Sequence, residues 1–523
     1  MKTAHAQADR SPSDSHKVVQ FSKKIGIVKV PRPYGPIQRP SYVSEEEVFP
    51  DEHPVQLGAS IARPPIATTD EGPWAGKTIL TLDGGGIRGF SSLLILQHLM
   101  QNIAKLERSA DPKATSSAYS PLVDCVQDKN LPPISNDTRS TSHYLPCHYF
   151  DYVAGTSTGG LIAIMLGRLR MNIDDCIEEY EHLSAGVFQK PSSRLRRSLT
   201  YYNKEAKRRV LQDHFDMLRP MWPSPSEDSE QPVLFKSDPY RCRTIVCSIK
   251  STLIKDFQTP FLFRSYDQPR PPKPSMEGLE SNPSKPDTFA IWQVARATSA
   301  APSYFKPVRL DNNQYYDAAV DLNNPSWEVV KEVRLLAGGS FDAIDVLLSV
   351  GGGNARVNKT KSKFGGGSFE KALADISDVV HLKLRSESKN VFKYYRLDVE
   401  EGLQDVRLNE WKPKSSGKTT LQKIREATAR YLQKQEVRSQ CQDCAMDLVR
   451  KRKQRARTMR WECFSTGTRY KCPKENCRYP TLRFPTRNDL MDHLRMRHDY
   501  PPPDAAHYQE IETLLDKGRT NTE

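Results

Sequence analysis

The sequence predicts an α/β fold, a three-layer α/β/α sandwich, on three observations. Short apolar runs at 79–82, 152–154, 244–249, 261–263 and 346–349 read as buried strands. Helical patterns alternate with them, which favours helices layered on a sheet. Two of the strands end in glycine-rich turns that open apolar, helix-like stretches.

Those turns carry the chemistry. The first is Thr81-Leu82-Asp83-Gly84-Gly85-Gly86-Ile87-Arg88-Gly89-Phe90, and the second is Val153-Ala154-Gly155-Thr156-Ser157-Thr158-Gly159-Gly160. A strand that ends in G-x-S-x-G and opens a helix is a nucleophile elbow. The glycines flank Ser157 because the turn is sharp and a neighbouring side chain would clash. The first turn supplies what such a serine lacks, backbone N–H groups unobstructed by side chains and able to hold an oxyanion.

Other readings of these residues are weaker. Gly84 to Gly89 also fits the G-x-G-x-x-G dinucleotide pattern, which wants an acid at the end of a second strand about twenty residues on. Glu107 lies near that distance but in a helical pattern. No G-K-[ST] follows the first turn, against a phosphate-cradling loop. His381 is the one histidine between Asp317 and the C-terminal module, and it reads as a helix residue rather than a triad member. His148 reads as a strand-end residue.

Taken in order, these segments resemble the patatin-like lipid acyl hydrolases, which include calcium-independent phospholipases of the A type. Residues 83–89 resemble that family's oxyanion loop. Tyr149-Phe150-Asp151 leading to Gly155-Thr156-Ser157-Thr158-Gly159 resembles its elbow. Ala295 to Pro302 with Tyr304-Phe305, then Tyr316-Asp317-Ala318-Ala319 with Asn323-Asn324-Pro325, and then 345–351 continue the likeness, from about Lys77 to Gly353.

The resemblance implies Ser157 as nucleophile and Asp317 as a base acting without a histidine, since a serine hydroxyl needs a base. It implies an oxyanion and binding turn of Gly84, Gly85, Gly86, Arg88 and Gly89. Arg88 reads either as charge support for the oxyanion or a lipid phosphate or as a structural bridge to a carboxylate. Asp151 reads as a structural elbow residue. The implied substrate is phospholipid or another acyl lipid, and no cofactor serves the catalysis. One position departs: the family has glycine directly after its aspartate, and here it is Ala318. A positive φ there would cost alanine roughly 1 kcal/mol or more. This departure, together with the basic helices and the finger-like module toward the C-terminus, suggests the alternative, a catalytically weak lipid-sensing or scaffolding adaptor acting through those helices and that finger.

Composition bounds the setting. The 523 residues carry 77 Lys plus Arg against 63 Asp plus Glu, a net charge of +14, which suits an anionic lipid surface. Mean hydropathy is −0.64, so sizeable exposed segments are expected. No apolar run approaches the roughly 20 residues of a membrane helix, and the N-terminus has no apolar signal core. The 10 cysteines are scattered rather than arrayed as a disulfide framework. An intracellular protein follows as the expectation, cytoplasmic with peripheral membrane association, or nuclear.

The chain divides as a disordered proline-rich arm (1–74), a hydrolase domain (75–400), a linker with basic helices (401–465), a finger-like module (466–500) and a tail (501–523). Two insertions, 109–146 and 268–286, read as loops. Basic clusters stand at 190–209, readable as a patch for an anionic membrane, and at 450–457, readable as a nuclear-import signal or a nucleic-acid patch; each also reads as an exposed helix face. Cys441 and Cys444 read as helix cysteines. Cys472-x4-Cys477, fifteen residues and His493-x4-His498 match the ligand types of a two-Cys, two-His zinc finger, with structural zinc and a protein or nucleic-acid partner. The gap is three longer than the usual twelve or so, with the surplus before Phe484. A nucleic-acid-binding regulator with a vestigial hydrolase is a third reading.

Overall fold

A computed structural model describes residues 72–110, 114–122, 141–188, 233–252, 255–268, 288–301, 304–310, 312–353, 367–404, 406–411, 417–500 and 507–521. The arm up to residue 71, the basic run 190–209, most of both insertions and residues 412–416 of the linker lie outside them.

The strands are β1 (Lys77–Leu82), β2 (Tyr152–Thr156), β3 (Arg243–Thr252), β4 (Lys255–Arg264), β5 (Val308–Leu310), β6 (Asn313–Asp317), β7 (Ile344–Val350), β8 (Lys393–Leu397), β9 (Thr468–Tyr470) and β10 (Arg519–Asn521). The first eight form one mixed sheet in the order β5-β6-β3-β2-β1-β7-β8, with β4 paired to β3. Strands β3, β2, β1, β7 and β8 are parallel, and β4, β5 and β6 join antiparallel. All five predicted strand runs fall within β1, β2, β3, β4 and β7.

The helices are α1 (Gly89–Ala110), α2 (Thr158–Ala163), α3 (Ile173–Phe188), α4 (Ile291–Thr298), α5 (Ala319–Leu322), α6 (Ser326–Leu336), α7 (Gly367–Glu387), α8 (Thr420–Gln433), α9 (Gln435–Ala456), α10 (Arg460–Thr466), α11 (Arg487–His498) and α12 (Tyr508–Gly518). Strand side chains alternate between two cores, as a pleated strand buried on both faces requires. Leu80, Leu82, Val153, Val246 and Leu348 face a core shared with α1, α3 and α4. Ile79, Ala154, Ile245 and Leu347 face a second core with α6 and Leu384 of α7. The result is the α/β/α sandwich.

The stretch expected as a linker with exposed basic helices is different. Ile424, Tyr431, Cys441, Cys444, Leu448 and Trp461 belong to the first core, with α8 and α9 packed onto α1 and α10 packed against α9. The charges of α9 follow its apolar face inward. Lys451 pairs with Asp345 at 2.9 Å, Arg452 with Glu107 at 2.7 Å and Arg455 with Asp151 at 2.7 Å. Arg452 and Arg455 are almost wholly buried. Buried charges persist only when paired, which is why this basic run is an anchor rather than a free surface. Glu107, the candidate ribose acid of the dinucleotide reading, is committed to Arg452 from within α1. Among the described residues no helix is long and apolar enough to cross a membrane.

Candidate active site

Both side chains of the candidate dyad, Ser157 and Asp317, are placed by β3. Along one edge of β3, β2 pairs with Arg243 to Cys247 and β6 with Ser248 to Thr252. Thr156 therefore sits opposite Cys247 and Asp317 opposite the next residue, Ser248. The ends of β2 and β6 meet, and Ser157 Oγ donates to Asp317 Oδ2 at 2.5 Å across 160 residues of sequence.

The elbow is strained and held. Ser157 has φ 55° and ψ −125°, a conformation that costs a non-glycine residue on the order of 1–3 kcal/mol. A Cβ on Gly155 would run into the Gly159 carbonyl, and one on Gly159 would come within 2.5 Å of the Leu82 and Asp83 carbonyls. Ser157 N–H is fixed at 2.8 Å by Thr298 Oγ1, which itself donates to the Cys247 carbonyl at 2.7 Å. Thr298 lies in a segment singled out in the sequence, but its service to the elbow depends on the packing of α4 against β3.

Asp317 is 3 % exposed, and its Oδ1 accepts from the Ala319 N–H at 2.8 Å. Burial pushes its carboxyl up from the ordinary value to about 7, against the opposing hydrogen bonds from Ser157 and Ala319. Ala318 has φ −80° and ψ −3°, an ordinary right-handed conformation, so alanine carries no strain in the place where glycine was expected.

The glycine turn approaches the same point. Gly86, at φ +56°, offers an N–H that meets no acceptor among the described residues. Gly85 N–H donates to Thr158 Oγ1 at 3.3 Å, so it is engaged rather than open. Tyr180 OH donates to the Gly86 carbonyl at 2.6 Å, and Ile87 N–H donates to the Leu408 carbonyl at 2.8 Å. The peptide between Gly86 and Ile87 is thus gripped on both sides.

Ser157, Asp317, Gly85, Gly86 and Thr158 line a cleft of about 730 Å³ with its open mouth included. The rest of the wall is largely apolar, with Leu161, Leu183, Val187, Phe305 and Leu408 among it. Gly84, Arg88 and Gly89 do not line it. Gly84 N–H is spent on the Asn323 carbonyl at 3.2 Å, Arg88 is buried, and Gly89 packs against Tyr180 and Thr158. Among the described residues no histidine lines the cleft. His148 is buried between Ser117 and the Ser465 carbonyl, and His381 bonds Tyr394.

Residues 80–330 match the family model described as patatin-like phospholipase. This segment is a patatin-like phospholipase domain. Among curated relatives, calcium-independent phospholipase A2-gamma of Mus musculus is 28 % identical over 267 residues, 50 % of this chain and 26 % of that protein. Phospholipase A I of Arabidopsis thaliana is 26 % identical over 330 residues, 55 % of this chain and 22 % of that protein. A probable inactive patatin-like protein 9 of the same plant is 26 % identical over 267 residues, 49 % of this chain and 54 % of that protein. The chain therefore spans about a quarter of the first two relatives.

Outside the patatin-like domain, the sequence-predicted metal ligands converge. The donor atoms of Cys472, Cys477, His493 and His498 all lie within 4.8 Å of one another. Cys472 Sγ is 3.3 Å from His498 Nε2, and Cys477 Sγ is 3.4 Å from His493 Nε2. Tetrahedral zinc with ordinary bond lengths would set sulfur and nitrogen about 3.5 Å apart, so the set fits that ion. Tyr470 and Phe484 exchange backbone hydrogen bonds of 2.9 and 2.8 Å, which closes a hairpin, and α11 begins at Thr486 with Asp489 in a capping box. The extra residues form a turn, Leu482 N–H to the Tyr479 carbonyl at 3.2 Å, before Phe484. Helix α12 adds Ile511 and Leu515 to the small core and pairs Glu512 and Asp516 with Arg487, an enlargement that the ligand spacing did not foretell.

Proposed function

We propose that the chain is a serine lipid acyl hydrolase of the calcium-independent phospholipase A type, cleaving carboxylic esters through a Ser157–Asp317 dyad. The observation that carries the reading is the 2.5 Å contact from Ser157 Oγ to Asp317 at the foot of an apolar cleft. Asp317 takes the hydroxyl proton as Ser157 attacks the ester carbonyl. The oxyanion accepts from Gly86 N–H and from Gly85 N–H, which leaves Thr158 Oγ1 for it. Asp317 passes its proton to the departing alkoxide. It then takes one from water, which attacks the acyl-serine, and the serine is regenerated as fatty acid leaves. Relatives named as phospholipases support phospholipid as substrate, taken from a membrane surface. The ordinary φ at Ala318 removes one of the observations that favoured an adaptor; the finger is the one that still favours it.

The test is fatty-acid release from phosphatidylcholine vesicles with a calcium chelator present, followed against pH. The base must be ionised, so kcat/KM should rise about tenfold per pH unit below about 7 and level off above it. A profile flat from about pH 5.5 to 8.5 would remove Asp317 from the base role.

We further propose that Cys472, Cys477, His493 and His498 hold a structural zinc. The purified chain should carry about one equivalent of zinc, and Cys472→Ser should lose it. Zinc content measured by mass spectrometry checks this, and an unchanged content in the variant refutes it. A protein partner suits the finger better than DNA. The helix positions that read bases in zinc fingers correspond to Thr486, Asp489 and Asp492. The first two are tied to each other by the capping box, and the third would bring a carboxylate into the anionic groove.

A further inference from the structure

Both ends of the glycine turn are held by residues beyond 330, where the family match stops. At the leading end, Arg396 of β8 grips Asp83 with two parallel bonds, Nη1 to Oδ1 at 3.0 Å and Nη2 to Oδ2 at 2.7 Å. Its Nη1 also donates to Ser349 Oγ at 2.8 Å, and its Nη2 to Asp398 Oδ2 at 2.9 Å. Asp83 is closed off further by Ser377 Oγ at 3.2 Å, and Ser377 accepts from Asn323, whose carbonyl takes the Gly84 N–H. Asp398 holds a second glycine segment, accepting from Gly353 N–H at 2.9 Å. That segment supports the turn from below, where a Cβ on Gly85 would come 2.9 Å from the Gly352 carbonyl. At the trailing end, the Leu408 carbonyl fixes Ile87 N–H. Tyr431 of α8 locks β8 in turn, accepting from Asp398 N–H at 3.0 Å.

We infer that Arg396 is a positioning residue for the oxyanion turn, and that β8 with the strand-following segment through Leu408 forms a brace setting where the Gly85 and Gly86 N–H groups point. A bidentate guanidinium–carboxylate pair fixes angle as well as distance, which a single ammonium contact does not. Burial lifts the Asp83 carboxyl to about 6 even with Arg396 beside it, so the pair is the counter-charge that keeps this position ionised near neutral pH. The catalytic consequence rests on the hydrolase reading above, whereas the geometric one does not.

Arg396→Met and Arg396→Lys should be compared with wild type in two measurements. In hydrogen exchange read by mass spectrometry, Arg396→Met should speed exchange of the Gly84 and Ile87 amides about tenfold or more, with the β1 and β2 amides unchanged. In vesicle hydrolysis, kcat should fall about 10- to 100-fold at unchanged KM, normalised to protein that takes a fluorophosphonate at Ser157, and affinity for a trifluoromethyl ketone should fall in parallel. Arg396→Lys should keep the melting temperature but restore little of kcat. Unchanged exchange at Gly84 and Ile87 overturns the brace. Faster exchange with wild-type kcat overturns its catalytic role. Faster exchange in a chain whose wild type hydrolyses nothing leaves the brace standing and sinks the hydrolase reading instead.

Discussion

Replacing Ser157 with alanine is expected to lower fatty-acid release by about 10⁴-fold or more, to the rate of a folded protein lacking its nucleophile. Among the described residues lining the cleft, Ser157 is the one hydroxyl that bonds the Asp317 carboxylate, so no neighbour is placed to take over. Asp317→Asn should lose comparable activity while gaining stability. The Asp317 carboxyl is raised from 3.8 to about 7 by burial, so the folded state holds the proton more tightly than the unfolded chain. The sign follows: wild-type stability is intact below about pH 4 and declines as pH climbs to about 7. The asparagine variant escapes that decline and should be more stable at pH 8 by about 4 kcal/mol, with the gap closing in acid. Denaturant titration at pH 4 and pH 8 beside the activity assay measures both effects. An Asp317→Asn variant that is active, or that gains no more stability over wild type at pH 8 than at pH 4, contradicts the dyad.

Arg455→Met is expected to destabilise the fold by about 3–5 kcal/mol, the usual result of stranding one member of a buried ion pair. Arg455 is 1 % exposed and reaches Asp151 at 2.7 Å, the Gly76 carbonyl at 3.1 Å and the Pro73 carbonyl at 3.1 Å, and it lies over the Trp74 ring. Burial alone would raise the Asp151 carboxyl, yet Arg455, Lys77 and the Thr78 N–H together hold it down at about 2. Asp151 directly precedes β2, the strand that delivers Ser157, and its Oδ2 accepts the Thr78 N–H of β1 at 2.8 Å. The pair therefore ties a helix about 300 residues away in sequence to the strand pair under the elbow. Arg455→Met with Asp151→Asn should recover part of the loss, since the lone charge is then gone. Chemical denaturation of both variants decides the matter, and a loss below about 1 kcal/mol in the single variant would reduce the pair to the worth of a surface contact.

Much of this was open to a reader of the chain. Strands β1, β2, β3, β4 and β7 announce themselves by apolar runs, because a strand buried on both faces has no polar side to interrupt it. Strand β6, which carries Asp317, is half polar (Asn313, Gln314), and its alternation is too short to distinguish from a loop. The helix α9 reads as an exposed basic face, since arginine in a sequence does not reveal its carboxylate partners. The four metal ligands are legible because the ligand types and their intervals are local constraints, whereas α12 joining the finger core is not.

The sequence by itself determined the chemistry on offer: a serine forced into a sharp elbow between glycines, a second turn of bare N–H groups, and a Cys pair and a His pair at ligand spacing. The elbow, the glycine turn, and the spacing within the Cys472/Cys477 and His493/His498 pairs are each short-range facts, set within a few residues. Only the tertiary structure decided which groups meet. It brought Asp317 to Ser157 through adjacent positions on β3, pushed the Asp317 carboxyl up to about 7 by burial, gave Ala318 an unstrained backbone, engaged Gly85 while leaving Gly86 open, and turned a basic helix into an anchor. The physical reason is that pairing register, desolvation and ion-pair partners belong to residues far apart in the chain, and no local pattern encodes them.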